Sequence, residues 1–319
     1  MTILTTTYTR FDAIGVREQL SNTISMISPT ETPFMTNAKI GKAKNTLFEW
    51  QTDALASAVT TNQQLEGDNI TSYTAVVPTV RLGNYVEIGR KIASVSNTVE
   101  SVESAGGAND MGYVIAKLAK ELKRDMESSL LANRGATAGS TSAARKTAGL
   151  PAFIKTNYDK AGDGVVPTYT SIATDVWTVG TTRAFTETIV KAVLSACYTS
   201  GADTSTIMVG AFNKQAFSAF SGVVELMANQ GKSQATIIGA ADTYVSDWGR
   251  LSVVPNRFQH ISSAFFIDWD MVEVDYLRTF KQEPLATTGD AKNRLLVVEY
   301  GLKVNNEAGL GIATGLTSS

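Results

Sequence analysis

Between Asn109 and Asn133 the apolar residues Ile115, Leu118, Leu122, Met126 and Leu130 recur every three or four positions, and this spacing predicts an amphipathic helix. Lys117, Lys120, Glu121, Lys123, Arg124 and Glu127 fall mostly off that stripe. Such a helix is roughly 35 Å long, with Lys123 and Glu127 as an i,i+4 pair on its exposed face and Gly135 as its stop. A second stripe, Phe185, Ile189, Val193 and Cys197, predicts another helix ending at Gly201. A strand over 206–209 follows, then a helix carrying Phe212, Ala216 and Phe220.

Elsewhere the period is two. Thr46, Phe48 and Trp50 alternate with Leu47, Glu49 and Gln51, and alternation returns over 85–92, where Val86, Ile88 and Ile92 share a face. These predict the two strands of a long hairpin, joined by the polar stretch Asp53 to Ala75 with a turn at Gly67 and Asp68. A connection of that length without its own core signals an interacting loop. Leu296, Val298, Tyr300, Leu302 and Val304 predict a long strand that ends the ordered chain. Its apolar face requires a cover that the 109–133 helix matches in length, so early and late segments form one discontinuous domain around an inserted middle domain. Residues 149–154 read as an apolar run in a connector. Residues 1–44 are Thr-rich, with a helical stretch between Phe11 and Met26 and breaks at Pro29 and Pro33. Ile24, Ile27, Phe34 and Ile40 stand too far apart to bury one another, so this arm needs another surface, such as another chain.

The 319 residues allow roughly two domains. Lys and Arg total 28 against 30 Asp and Glu, which excludes the basic excess of a dedicated nucleic-acid binder. One cysteine, Cys197, and one histidine, His260, exclude an intrachain disulfide and a Cys/His zinc site. No run approaches the ~18 apolar residues of a membrane span, and residues 1–11 lack a secretory core, as expected in a reducing, soluble compartment with no membrane partner.

Motifs for small-molecule chemistry are incomplete. Gly231-Lys232-Ser233 resembles the end of a phosphate loop, but Leu226 holds the required first glycine's place, so a surface loop is expected. Gly309, Gly311 and Gly315 miss the dinucleotide spacing and read as a flexible tail. His260 lacks a nucleophile elbow and reads as leading into a strand, while Cys197 sits on a core stripe. Asp268, Asp270, Glu273 and Asp275 form the one dense acidic cluster, read as solvated strand positions around a parity change rather than a metal site. Asn69-Ile70-Thr71 has no meaning as a glycosylation acceptor without a secretory signal. Lys39, Lys42 and Lys44 form a small basic run, with further positive charge at Arg90, Lys91, Lys117, Lys120, Lys123 and Arg124. Solvated faces or pairing with a neighbour's carboxylates account for most of these, and contact with packaged nucleic acid is the sharper alternative.

The order of arm, long hairpin, long helix, inserted domain and terminal strands resembles the Hong Kong 97-type α+β major capsid fold of tailed bacteriophages. Residues 27–34 (Ile-Ser-Pro-Thr-Glu-Thr-Pro-Phe), 49–53 (Glu-Trp-Gln-Thr-Asp), 121–127 (Glu-Leu-Lys-Arg-Asp-Met-Glu), Gly149-Leu150-Pro151, and the stretch from Gly289-Asp290 to Glu299-Tyr300 are similar to the SU-ten-like major head protein family. The resemblance implies an N-terminal arm at 1–44, an extended loop at 45–95, and a peripheral domain with its spine helix at 96–168. It implies an axial domain at 169–261 and returning peripheral strands at 262–319.

It further implies a non-enzymatic shell subunit, without cofactor, in hexamers and pentamers of an icosahedral virion capsid around double-stranded DNA. Assembly would occur in the host cytoplasm, with a portal and with scaffolding or decoration proteins as partners. Candidate intersubunit residues are Pro29, Pro33, Phe34, Trp50 and Leu65, and candidate DNA-facing residues are Lys39, Lys42 and Lys44. No lysine lies between Lys44 and Arg90, so the lysine-to-asparagine crosslink of some relatives is not expected from the loop, and the shell is expected to be noncovalent. No long assembly-directing segment is expected before the arm in the mature form, and on that expectation a separate scaffold or an earlier cleavage is implied. Alternatives are a cargo-enclosing compartment of the same fold and a metal-dependent hydrolase built on the acidic cluster.

Overall fold

The computed structural model describes residues 29–70, 73–102, 110–220, 242–287 and 289–318. The first half forms α1 (Pro33–Asn37), β1 (Lys39–Lys42), β2 (Leu47–Thr52), β3 (Val80–Tyr85), β4 (Glu87–Ser96), α2 (Asn97–Ser101), α3 (Asp110–Leu131), α4 (Leu150–Phe153) and β5 (Tyr158–Asp159). The second half forms α5 (Glu187–Thr199), β6 (Thr206–Val209), α6 (Ala211–Ser218), β7 (Thr243–Ser246), β8 (Gly249–Pro255), β9 (Ser263–Ile267), β10 (Val272–Pro284), β11 (Ala291–Val304) and β12 (Leu310–Thr314).

The long helix falls where its stripe predicts, and it covers one face of a four-stranded sheet ordered β1-β10-β11-β4. Leu122, Met126 and Leu130 pack there with Leu296, Val298, Tyr300 and Leu302, the even positions of β11. Gly89 of β4 opposes Val298, and a Cβ on it would stand 3.2 Å from a Leu122 methyl, so the missing side chain lets helix and sheet close. At the end of the helix Glu87 accepts from Arg134 at 2.5 Å, from the Tyr300 hydroxyl at 2.8 Å and from the Thr147 amide at 3.3 Å. Gly135 is needed for a backbone crossing, because a Cβ there would lie 1.8 Å from the Thr174 carbonyl oxygen.

A six-stranded sheet is ordered β5-β12-β9-β6-β8-β7. The second stripe lies in α5, whose Ile189, Val193 and Cys197 pack with Ile207, Phe266 and Ala313. Gly201, at φ +86°, follows the helix as expected. His260 leads into β9 and faces the Ser263 hydroxyl at 3.1 Å, and burial lowers its pKa. Burial raises the Cys197 thiol to about 11, in keeping with a packing role.

Several expectations are corrected. The partner of β2 is β3, with Leu47 opposite Tyr85 and Thr52 opposite Val80, whereas the 85–92 alternation belongs to β4 and pairs with β11. The face of β4 turned to the helix carries Gly89, Lys91, Ala93 and Val95; Lys91 is accommodated by Asp125 at 2.8 Å and Glu121 at 3.8 Å, leaving Ile88 and Ile92 exposed. The glycine-rich end is no tail: β12 is fully buried, and a Cβ on Gly311 would meet Val193 at 2.6 Å and the Cys197 sulfur at 2.7 Å. Consequently β11 does not end the ordered chain. Residues 150–154 are core rather than connector. In α6 the buried residues are Asn213 and Phe217; of the predicted stripe Phe220, just beyond the helix, is buried and Ala216 packs against the same core, but Phe212 is exposed. Glu127 is wholly buried, so it makes no surface pair with Lys123. The expected 11–26 helix and the Gly231-Lys232-Ser233 loop lie outside the described residues.

Candidate assembly interface

Between β2 and β3, every described residue of 53–79 is exposed. Leu55 is 99 %, Leu65 83 %, Ile70 83 %, Tyr73 92 % and Val76 91 % accessible, with Val59 and Val77 also open. A turn closes at Leu65 to Asp68, where the Asp68 amide donates to the Leu65 carbonyl at 3.2 Å and Gly67 takes φ +82°, as the Gly-Asp pair predicts. Seven large apolar side chains therefore stand in water on one loop. Burying each is worth about 1.5–3 kcal/mol, a gain this protomer leaves unrealised.

The base of that loop is fixed. The β2 alternation turns Phe48 and Trp50 to the sheet and Glu49 outward to Arg81 at 3.3 Å. The Phe48 ring occupies the space a Cβ on Gly301 would need, 2.6 Å away, which seats the hairpin on β11. Trp50 donates its indole N–H to the Val304 carbonyl at 2.8 Å and packs 5.7 Å from the Phe48 ring and 6.2 Å from Phe153. Of the candidate contact residues, Trp50 thus anchors its own protomer, and Leu65 is free at the loop's turn.

The arm's end is fixed similarly. Pro33 opens α1, where a missing N–H costs nothing. The next two amides, of Phe34 and Met35, donate to the two oxygens of Glu127 at 2.8 and 2.9 Å. The Asn256 side-chain amide, just beyond β8, donates to the same carboxylate at 2.7 Å. Burial pushes the Glu127 carboxyl up, and these three donors offset part of that. Phe34 is fully buried against Trp269, at 5.8 Å between rings, so it too is an anchor within its own chain, while Pro29 and Pro33 stay half-buried. The surface that Phe34 is expected to need is supplied by α3 and Trp269 of its own chain rather than by another chain.

The strand β1 runs parallel to β10 and brings the basic run to the acidic cluster, with Lys39 on Asp270 at 2.7 Å. Lys42 and Lys44 are exposed, with no acidic partner within 4 Å among the described residues. Glu273 pairs with Lys303 at 2.8 Å. Asp268 and Asp275 are buried rather than solvated, since Asp268 accepts the Asp270 amide at the 3-10 turn 269–271 and Asp275 lies under Gly41. Burial first, and Glu273 second, raises the Asp275 carboxyl to about 6. Among the described residues no group of three or more His, Cys, Asp or Glu could hold a metal, and no helix is long and apolar enough to cross a membrane.

The geometry is that of a folded body with a fixed arm end and an apolar loop left uncovered. The family model described as SU10 major capsid protein matches residues 2–317. The chain belongs to that family. The major capsid protein of Escherichia phage Phieco32 is 25% identical over 348 residues, covering 96% of each chain. The fold is similar to the capsid of cyanophage A-1(L), with a TM-score of 0.66 and 15% identity over 95% of this chain and 97% of that one. It is also similar to the SrpI encapsulin of Synechococcus elongatus PCC 7942, with a TM-score of 0.59 and 9% identity over 95% and 94%. The architecture is thus the Hong Kong 97-type fold, and the protein is a major capsid protein of a tailed phage.

Proposed function

We propose that this subunit builds closed hexamers and pentamers of an icosahedral shell around double-stranded DNA, held noncovalently by its loop and arm. The observation that carries this is the row of exposed apolar side chains from Leu55 to Val77 above a hairpin rooted by Trp50. A loop fixed at its base and apolar along its length gains most by lying on a neighbour. Head-to-tail repetition of one such contact closes rings. Leu65, Pro29 and Pro33 are the sequence candidates that remain for neighbour contacts.

In this reading 1–44 acts as the arm, 45–95 as the extended loop, 96–168 and 262–319 as the peripheral domain and 169–261 as the axial domain. A portal, scaffolding or decoration proteins and the genome are the further partners, assembly takes place in the host cytoplasm, and no catalysis is involved. The encapsulin likeness supports a compartment of the same fold as the second reading, but it extends to fold alone, and family membership favours the phage shell. The test is sedimentation and electron microscopy of the variant Leu65→Ser, Tyr73→Ser, Val76→Ser. Folded subunits that no longer form particles support the proposal; a wild-type particle yield overturns it.

A further inference from the structure

The charges of α3 are sorted by side. At 100° per residue Lys123, Lys120, Arg124 and Lys117 occupy one arc of roughly 120°. Glu121 and Asp125 lie outside that arc and turn to Lys91 of β4, whereas Glu127 falls within it but is buried beneath Phe34 and adds no charge to the surface there. None of the four bases has an acidic partner within 4 Å among the described residues. Arg124 lies 5.6 Å from the Phe258 ring centre, and its Nε is buried without a hydrogen-bond partner. Exposed Arg257, between Asn256 and Phe258, is likewise unpaired with acid among the described residues. A chain with net charge −2 thus concentrates positive charge on one flank of one helix.

We propose that this flank, Lys117, Lys120, Lys123 and Arg124, is the surface by which each subunit contacts the phosphates of the enclosed duplex. The inference rests on the shell reading above. From Lys117 to Arg124 the helix rises about 10 Å, a length over which B-DNA carries about six charges. Three of the four bases are lysines, point charges on flexible stems that meet a continuous row of phosphates without fixed register. Carboxylates on a protein neighbour would instead have to be matched singly. The basic run at β1 is a poorer candidate, because Asp270 already neutralises Lys39.

The test compares full-length wild type with Lys117→Gln, Lys120→Gln, Lys123→Gln, and with Lys42→Gln, Lys44→Gln as control. Fluorescence anisotropy with a labelled duplex of about 30 bp, at dilute protein and from about 50 to 200 mM salt, gives the slope of log affinity against log salt. The α3 variant should bind at least about tenfold more weakly at low salt, with a slope shallower by roughly 2–3, while its particle yield stays wild-type and the control keeps the wild-type slope. Unchanged affinity and slope overturn the proposal, as does loss confined to the control. Lost particles with duplex binding retained make the flank an interface between copies and also overturn it. If wild type forms no particles yet the slope still changes with the α3 variant, the shell reading falls and the flank stands as a polyanion surface.

Discussion

The Glu127 carboxylate of α3 accepts the backbone N–H of Phe34 at 2.8 Å across 93 positions of sequence, and it is buried while doing so. The same group holds the Met35 amide and Asn256, joining the arm's end, the long helix and the segment after β8. Glu127→Ala leaves the buried donors of Phe34 and Asn256 without this acceptor, at about 1–3 kcal/mol each before relaxation, and frees the part-buried Met35 amide. A thermal melt of the subunit should show marked destabilisation, and limited proteolysis should cut first between 29 and 38. An unchanged melting temperature and cleavage pattern would contradict the junction role.

The backbone crossing at Gly135 makes a second prediction. Gly135→Ala places a methyl 1.8 Å from the Thr174 carbonyl, which no side-chain rotation relieves. Overpacking of this kind costs about 1–3 kcal/mol, and denaturant unfolding should show the midpoint fall. Gly162→Ala, with open space around it, serves as the control and should be near neutral.

Much of this was legible locally and some was not, for physical reasons. The α3 and α5 stripes, β11 and the core position of Cys197 each follow from spacing, because one face of each element meets apolar partners, while the turn at Gly67 follows from the residue types at its corner. The face of β4 misleads, since Lys91 is satisfied by Asp125 and the two isoleucines are left outside. The run Gly309 to Gly315 looks like a tail because the reason for its glycines, Val193 and Cys197 pressing on Gly311, lies more than a hundred residues earlier. Glu127 looks like a surface acid for the same reason: nothing near it in sequence reveals Phe34 or Asn256 as its partners. The apolar loop residues were present in the sequence but scattered among Thr, Gln and Asn without period, so only their exposure reveals them.

Asp275 makes the fold's stability depend on pH. Its carboxyl is raised from 3.8 to about 6 by burial and by Glu273, so between those values the folded chain holds more proton than the unfolded one. Its contribution is therefore greatest near pH 4 and declines as pH rises through 6, by at most about 1.4 kcal/mol per unit. Asp275→Asn removes that dependence: chemical unfolding of wild type and variant at pH 4, 5, 6 and 7 should give a stability difference that shifts toward the variant as pH rises. A difference independent of pH would contradict the assignment.

The loop contains no lysine between Lys44 and Arg90, and the shell is accordingly expected to be noncovalent. Particles boiled in detergent should run as a single monomer band. A ladder of crosslinked rings would refute this.

The central claim is that the apolar stretch from Leu55 to Val77 is covered by a neighbouring copy. Cryo-electron microscopy of the purified wild-type protein tests it most directly. Closed particles are predicted, with residues 53–79 of each subunit seated on the adjacent one and Leu65, Tyr73 and Val76 out of solvent. A solitary subunit at high concentration, or particles in which that loop lies on its own protomer, would contradict the account.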